Sequence, residues 1–168
     1  MNLIACVDSK WGIGKDGDLL VHIPEDMKFF KKNTENKIVI CGRKTYESFP
    51  VKPLPDRTHL VLTHDINFAD GVNNVIPIKD FEMLRKILNS LSNIDNVYII
   101  GGESIYKEMI NWEDVSLALI TKVYHDYDAD RFFPNLDENP NWRITSNDPL
   151  HIYNGIQYNF NLYQKVRD

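Results

Sequence analysis

Two cysteines in 168 residues are too few to staple a fold. Cys6 and Cys41 each sit inside a short apolar run that reads as a buried strand, so both are expected as reduced core residues rather than a disulfide or metal pair. That usage fits a cytoplasmic protein. Long hydrophobic runs are lacking too, and no stretch approaches the ~20 apolar residues of a membrane span. Met1–Val7 has neither the basic start nor the small-residue cleavage site of a secretory signal. Positive charge is in deficit. Lys and Arg number 19 against 24 Asp and Glu, a net charge of −5, which argues against a general nucleic-acid or anionic-membrane partner but leaves room for a local basic pocket. The five histidines show no metal-ligand spacing, so no metal is expected. What remains is the composition of an ordinary soluble globule, long enough for a single domain over 1–168 with a large core.

The segment that organises the chain is Ile23–Thr34. Pro24 suits a first helical position, since its missing N–H is one of the unsatisfied donors anyway, and Glu25 and Asp26 follow where the helix dipole favours negative charge. Ile23, Met27, Phe30 and Thr34 share one face, with Lys28, Lys31 and Lys32 opposite. Asp26 lies on the edge of the apolar face. It is either a helix-start acid answering the dipole or a lone carboxylate aimed into an apolar cleft, where burial tunes an acid.

The remaining segments alternate between strands and helices. Leu3–Val7 reads as a strand covered on both faces. Asp8–His22, with three glycines and no period, reads as a long loop, and such loops are often lids. Strand Lys37–Cys41 ends at Gly42, which opens a short helix through Phe49. That junction is either an anion cradle with Arg43 and Lys44 beside free backbone N–H groups, or a tight corner with a solvated basic pair. Pro50–Asp56 is a proline-stiffened loop closed by Arg57, and strand Thr58–Thr63 resumes. Strand Asn74–Ile78 precedes a helix over Asp80–Leu91, with Asp80 as N-cap. Strand Val97–Ile100 runs into Gly101-Gly102, a pair that marks either a plain turn or a close approach of ligand to backbone. Val115–Tyr124 reads as a strand, Asp130–Pro134 ends an acidic loop, and Trp142–Ser146 and Ile156–Val166 alternate like antiparallel strands around a hairpin signal at Asn154-Gly155. The pattern predicts an α/β sandwich with a mostly parallel sheet.

Taken together these junctions resemble dihydrofolate reductase over nearly the whole chain. The marks are Gly12-Ile13-Gly14, Ile23–Met27 with Phe30-Lys31, Gly42–Ser48, Pro53–Arg57, Ile100-Gly101-Gly102 with Ile105-Tyr106, Thr121, and the Phe133-Pro134 step. The resemblance implies a three-layer sandwich closed by a C-terminal antiparallel hairpin, and hydride transfer from NADPH to 7,8-dihydrofolate to give tetrahydrofolate for one-carbon metabolism. On this reading Asp26 accepts the paired ring N–H and amino group of the pteridine, and Thr121 bonds the carboxylate. Met27, Phe30, Phe49 and Leu54 wall the pteridine and aminobenzoyl groups, Ile4 and Cys6 form the floor, Tyr106 lies beside them, and Arg57 pairs with the α-carboxylate of the glutamate tail. The cofactor would lie on Gly42, Arg43, Lys44 and Thr45, on Thr63 and His64, and on Ile100, Gly101, Gly102, Glu103, Ser104, Ile105 and Tyr106. Gly12–Leu20 would close over the nicotinamide, with Ile13, Gly14 and Leu19 against it. The family's Gly101–Gly102 bond is cis.

Two departures stand out. Many members carry a tryptophan ahead of the helix, bridging to substrate through water, where this chain reads Val21-His22-Ile23. Many also carry an arginine after the glycines for the 2′-phosphate, where this chain has Glu103-Ser104, so preference for NADPH rests on Arg43, Lys44 and His64. The rivals are a pyrimidine reductase of riboflavin synthesis and a folate- or nucleotide-binding module without turnover. Asp26 beside Phe30 and the Leu54–Arg57 clamp favour a folate. The intact Asp26, Thr121 and glycine junctions favour an enzyme. A monomer is expected.

Overall fold

Strand β1 (Asn2–Val7) is buried along almost its whole length, and it occupies the middle of the sheet for that reason. In the computed structural model, which describes residues 1–167, β1 pairs in parallel with β6 (Val97–Gly101) on one side and β7 (Leu117–Val123) on the other. Outward from β6 come β3 (Ile38–Gly42), β4 (Thr58–Leu62) and β5 (Val75–Ile78), all parallel. Outward from β7 the direction reverses at β11 (Ile156–Lys165), which is antiparallel to β7.

Alternation along the strands builds two cores. Leu3, Ile40, Leu60 and Ile99 point to the face covered by α3 (Phe81–Asn89) and α4 (Glu103–Met109). Their sequence neighbours Ile4, Val39, Val61 and Ile100 point to the other. There Phe29 and Phe30 of α1 (Pro24–Thr34) and Tyr46 of α2 (Arg43–Glu47) pack. Period-two apolar residues on both faces require a helix layer on each, and the expected three-layer sandwich results. Helix α1 starts at Pro24 and has no side-chain cap. Helix α3 is capped by Asp80, whose carboxylate accepts from the Met83 N–H at 2.8 Å, as its sequence pattern predicts.

Two expectations need correction. Asp8–His22 is not wholly irregular: β2 (Gly12–Gly14) pairs antiparallel with β8 (Arg131–Phe132), so the middle of the lid segment is a ribbon strand. The closing hairpin also differs. Asn154-Gly155 does form a tight turn, with both residues at positive φ. It joins β11 to an additional short strand, β10 (His151–Tyr153), rather than to β9 (Trp142–Asn147). Strand β9 pairs with the far half of β11. Asp148 makes the step between the two, donating its N–H to the Phe160 carbonyl and accepting the Phe160 N–H at 2.7 Å. Among the described residues no helix is long and apolar enough to cross a membrane.

Candidate active site

Asp26 leaves the first turn of α1 and reaches the sheet. The Thr121 hydroxyl on β7 donates to its Oδ1 at 2.6 Å, across 95 residues of chain. The parallel ladder arranges this, because Cys6 on β1 and Thr121 on β7 are register partners and so point to the same face. Cys6 adjoins the same carboxylate. Burial pushes the Asp26 carboxyl above the ordinary carboxylate range, while the Thr121 hydroxyl and the Cys6 thiol pull it back part of the way. Burial, then the negative charge of Asp26, drives Cys6 well above the ordinary thiol range, so it stays a neutral thiol. Cys41 is buried and pushed up to about 12, and both cysteines are free.

Cys6 lies beside this carboxylate on β1, and two residues earlier on the same strand and face the Ile4 carbonyl accepts the Tyr106 hydroxyl at 2.7 Å. Phe30, Phe49 and Leu54 are half-buried. On α1 the expected apolar face divides in two. Ile23 and Thr34 are buried, but Met27 is 50% exposed, so the middle of that face is not packed into the core. An apolar side chain held open beside a buried acid is what a binding cleft requires.

Arg57 is not a surface arginine, being 6% exposed. Its Nε donates to Thr34 Oγ1 at 3.0 Å and its Nη1 to the Pro55 carbonyl at 2.7 Å, and its guanidinium lies 5.9 Å from the Phe30 ring centroid. No carboxylate reaches ion-pairing distance among the described residues; Glu35 and Asp56 act only from further away, and burial lowers the pKa. A buried, unpaired guanidinium with N–H groups to spare is a receptor for a carboxylate.

The two glycine junctions lie side by side. Gly42 and Gly102 are the N-caps of α2 and α4, and neither end carries a side-chain cap. A Cβ on Gly102 would lie 3.2 Å from Thr45 Oγ1, and one on Gly101 3.4 Å from the Tyr106 ring. Gly101 has a φ of 125°, which side chains rarely adopt, and bare backbone at both positions lets a flat or phosphorylated ligand approach closely. The Gly101–Gly102 bond is cis. Glu103 is turned aside, accepting the Phe132 N–H at 3.0 Å and pairing with Lys107, which keeps its carboxylate from facing an anion. Lys44, His64 and Ser104 are exposed, and Ile100 and Ile105 are buried. Arg43 is engaged with Glu47 at 2.9 Å and lies over the Phe68 ring, while the Thr63 hydroxyl accepts the Asp65 N–H within its own turn. The uncapped helix starts, with the exposed Lys44, His64 and Ser104 beside them, have the chemistry to hold a phosphorylated cofactor such as NADPH.

Beneath the segment Gly12–Leu20 a small cavity is lined by Cys6, Ile13, Leu19, Leu20, Val21 and Tyr127. Gly14 is buried and Leu19 is 52% exposed. Tyr127 has no signal in the sequence, since it arrives on an irregular loop after β7, held where its N–H donates to Asp8 Oδ2. Phe29, three residues after Asp26 on α1, carries no distinguishing signal in the sequence either. It stacks on Phe160 at 4.4 Å.

Residues 1–165 match the family model described as dihydrofolate reductase. A dihydrofolate reductase of Bacillus subtilis is 34% identical over 98% of this chain and 94% of its own length. One of Drosophila melanogaster is 31% identical over 98% and 97%. A bifunctional dihydrofolate reductase-thymidylate synthase of Daucus carota is 36% identical over 99% of this chain and 34% of that longer protein.

Proposed function

The chain belongs to the dihydrofolate reductase family, enzymes that reduce dihydrofolate to tetrahydrofolate with NADPH, and from that premise we propose which of its residues bind and which react. The observation that carries the reading is the half-buried Asp26, bonded by Thr121 and one residue before the exposed apolar side chain of Met27. One carboxylate in that setting accepts two parallel N–H groups from the pteridine edge, which orients the ring. Because burial raises its pKa, Asp26 favours the protonated, electrophilic form of the substrate at a higher pH than a solvated aspartate would. The hydroxyl of Thr121 fixes the carboxylate rotamer.

Met27, Phe30, Phe49 and Leu54 wall the pteridine and aminobenzoyl groups over the floor of Ile4 and Cys6, and Arg57 takes the carboxylate of the tail. Gly42–Thr45, Thr63, His64 and Ile100–Tyr106 hold the cofactor. NADPH when bound supplies the hydride. Tyr106 sets the floor by its bond to the Ile4 carbonyl, and Ile13, Gly14 and Leu19 exclude water from above. The proton for N5 comes through water, since a carboxylate gripping the far edge of the ring cannot touch that atom. With Val21 where many members have tryptophan, no indole holds that water.

The protein acts as one domain over 1–168, a cytoplasmic monomer without a nucleic-acid partner, consistent with its net charge of −5. The test is Asp26→Asn. Loss of NADPH oxidation with NADPH affinity kept is expected, and an unchanged pH–rate profile removes Asp26 from the chemistry.

A further inference from the structure

Behind Leu54 lies a titratable side chain that the reaction does not use. His59 on β4 is 0% exposed, edge-on to the rings of Tyr46 at 5.7 Å and Phe49 at 6.4 Å. Its Nε2 meets the backbone N–H of Leu54 at 3.2 Å. A peptide N–H can only donate, so Nε2 carries the lone pair and Nδ1 the proton. Nδ1 has no hydrogen-bond partner. A second proton on Nε2 would set N–H against N–H, end the bond to Leu54, and place a cation in an aromatic enclosure beside Arg57.

The groups facing His59 supply no counter-charge. Tyr46 on α2 and Cys41, on the same face of β3, are both held protonated by burial. Burial lowers the pKa of His59, and the charge of Arg57 acts in the same direction. The Asn74 and Arg57 carbonyls near the ring oppose them. The neutral form therefore persists at neutral pH and gives way on acidification.

We propose that His59 is a positioning residue and a proton-sensitive latch on the substrate loop. Neutral, it holds Leu54 and, through the Pro55 carbonyl that Arg57 grips, the clamp for the acidic tail; protonated, it releases both. The proposal rests on the assignment of Leu54 to the aminobenzoyl wall and of Arg57 to the acidic tail.

The test compares KM for dihydrofolate with KM for a dihydropterin lacking the glutamate tail, from about pH 7.5 to about pH 5, in the wild type, His59→Asn and His59→Phe. In the wild type KM for dihydrofolate should rise about ten-fold on acidification, the scale of one lost hydrogen bond. The asparagine oxygen accepts the same N–H and does not titrate, so His59→Asn should match the wild type near neutrality and stay flatter in acid. His59→Phe should bind dihydrofolate weakly at every pH. The tailless pterin should show no difference between wild type and His59→Asn. Parallel pH curves for wild type and His59→Asn with dihydrofolate overturn the latch and leave the tail assignment standing. An acid weakening of the wild type relative to His59→Asn that is equal for both ligands overturns the tail assignment, and the proposal with it.

Discussion

Replacing Arg57 by leucine removes a buried guanidinium that has no carboxylate at ion-pairing distance among the described residues. The side chain spends one N–H on Thr34 Oγ1 and one on the Pro55 carbonyl. Of the five donors an arginine carries, three remain for a ligand. A carboxylate taking two of them forms charge-assisted bonds of about 1.5–3 kcal/mol each. Desolvating the carboxylate offsets part of that sum, which leaves about 3 kcal/mol, or about a hundred-fold in Kd. The fold should survive, because Thr34 Oγ1 keeps its own bond to the Phe30 carbonyl at 2.8 Å and leucine fills apolar space beside Phe30. Titration of the purified variant with dihydrofolate and with a tailless dihydropterin reads the effect directly. The first ligand should lose about two orders of magnitude and the second almost nothing. Arg57→Lys should fall between, keeping the charge but not the planar fork. Equal losses for the two ligands would refute the clamp.

Two further outcomes follow from geometry and titration. Gly12→Ala would place a Cβ 2.5 Å from Ala129 Cβ and 3.0 Å from Asp8 Oδ1, so it should lower stability by about 1–3 kcal/mol and slow turnover; an unchanged Tm and rate would show that the lid does not need this close approach. Asp26→Asn should be more stable than the wild type at neutral pH. The folded-state pKa of Asp26 is raised above the ordinary carboxylate value, so its contribution to stability is complete below that range and is lost as pH rises through the folded-state pKa. The advantage of the variant should therefore shrink on acidification, and identical Tm values for the two proteins at neutral pH would contradict the burial of that carboxylate.

The strands and helices were legible because each carries its period: alternation over two cores at Leu3-Ile4 and Val39-Ile40, and the Asp80 cap with its apolar stripe. Proline at the start of α1 and glycine at the start of α2 fixed those boundaries to within a residue. What eluded the sequence depends on distant pairing. Nothing local in Gly12-Ile13-Gly14 announces a partner at Arg131-Phe132 more than a hundred residues on, and nothing in His151-Ile152-Tyr153 separates a three-residue strand from a loop. Within the site, Asp26 and Thr121 came from the order of motifs. The burial of Arg57, the enclosure of His59 and the arrival of Tyr127 are products of packing, which no periodicity encodes.

The ribbon that pins the lid has a mechanical consequence. Phe132, paired with Gly12 across the β2–β8 ribbon, also donates its N–H to Glu103 at the first turn of α4. The β2 segment is thereby hitched to the first turn of α4, at one of the two glycine junctions proposed to hold the cofactor. One carboxylate and one short ladder thus join the start of α4 to the Gly12–Gly14 strand, so the segment proposed to close over the nicotinamide and the junction proposed for the cofactor are held in one frame.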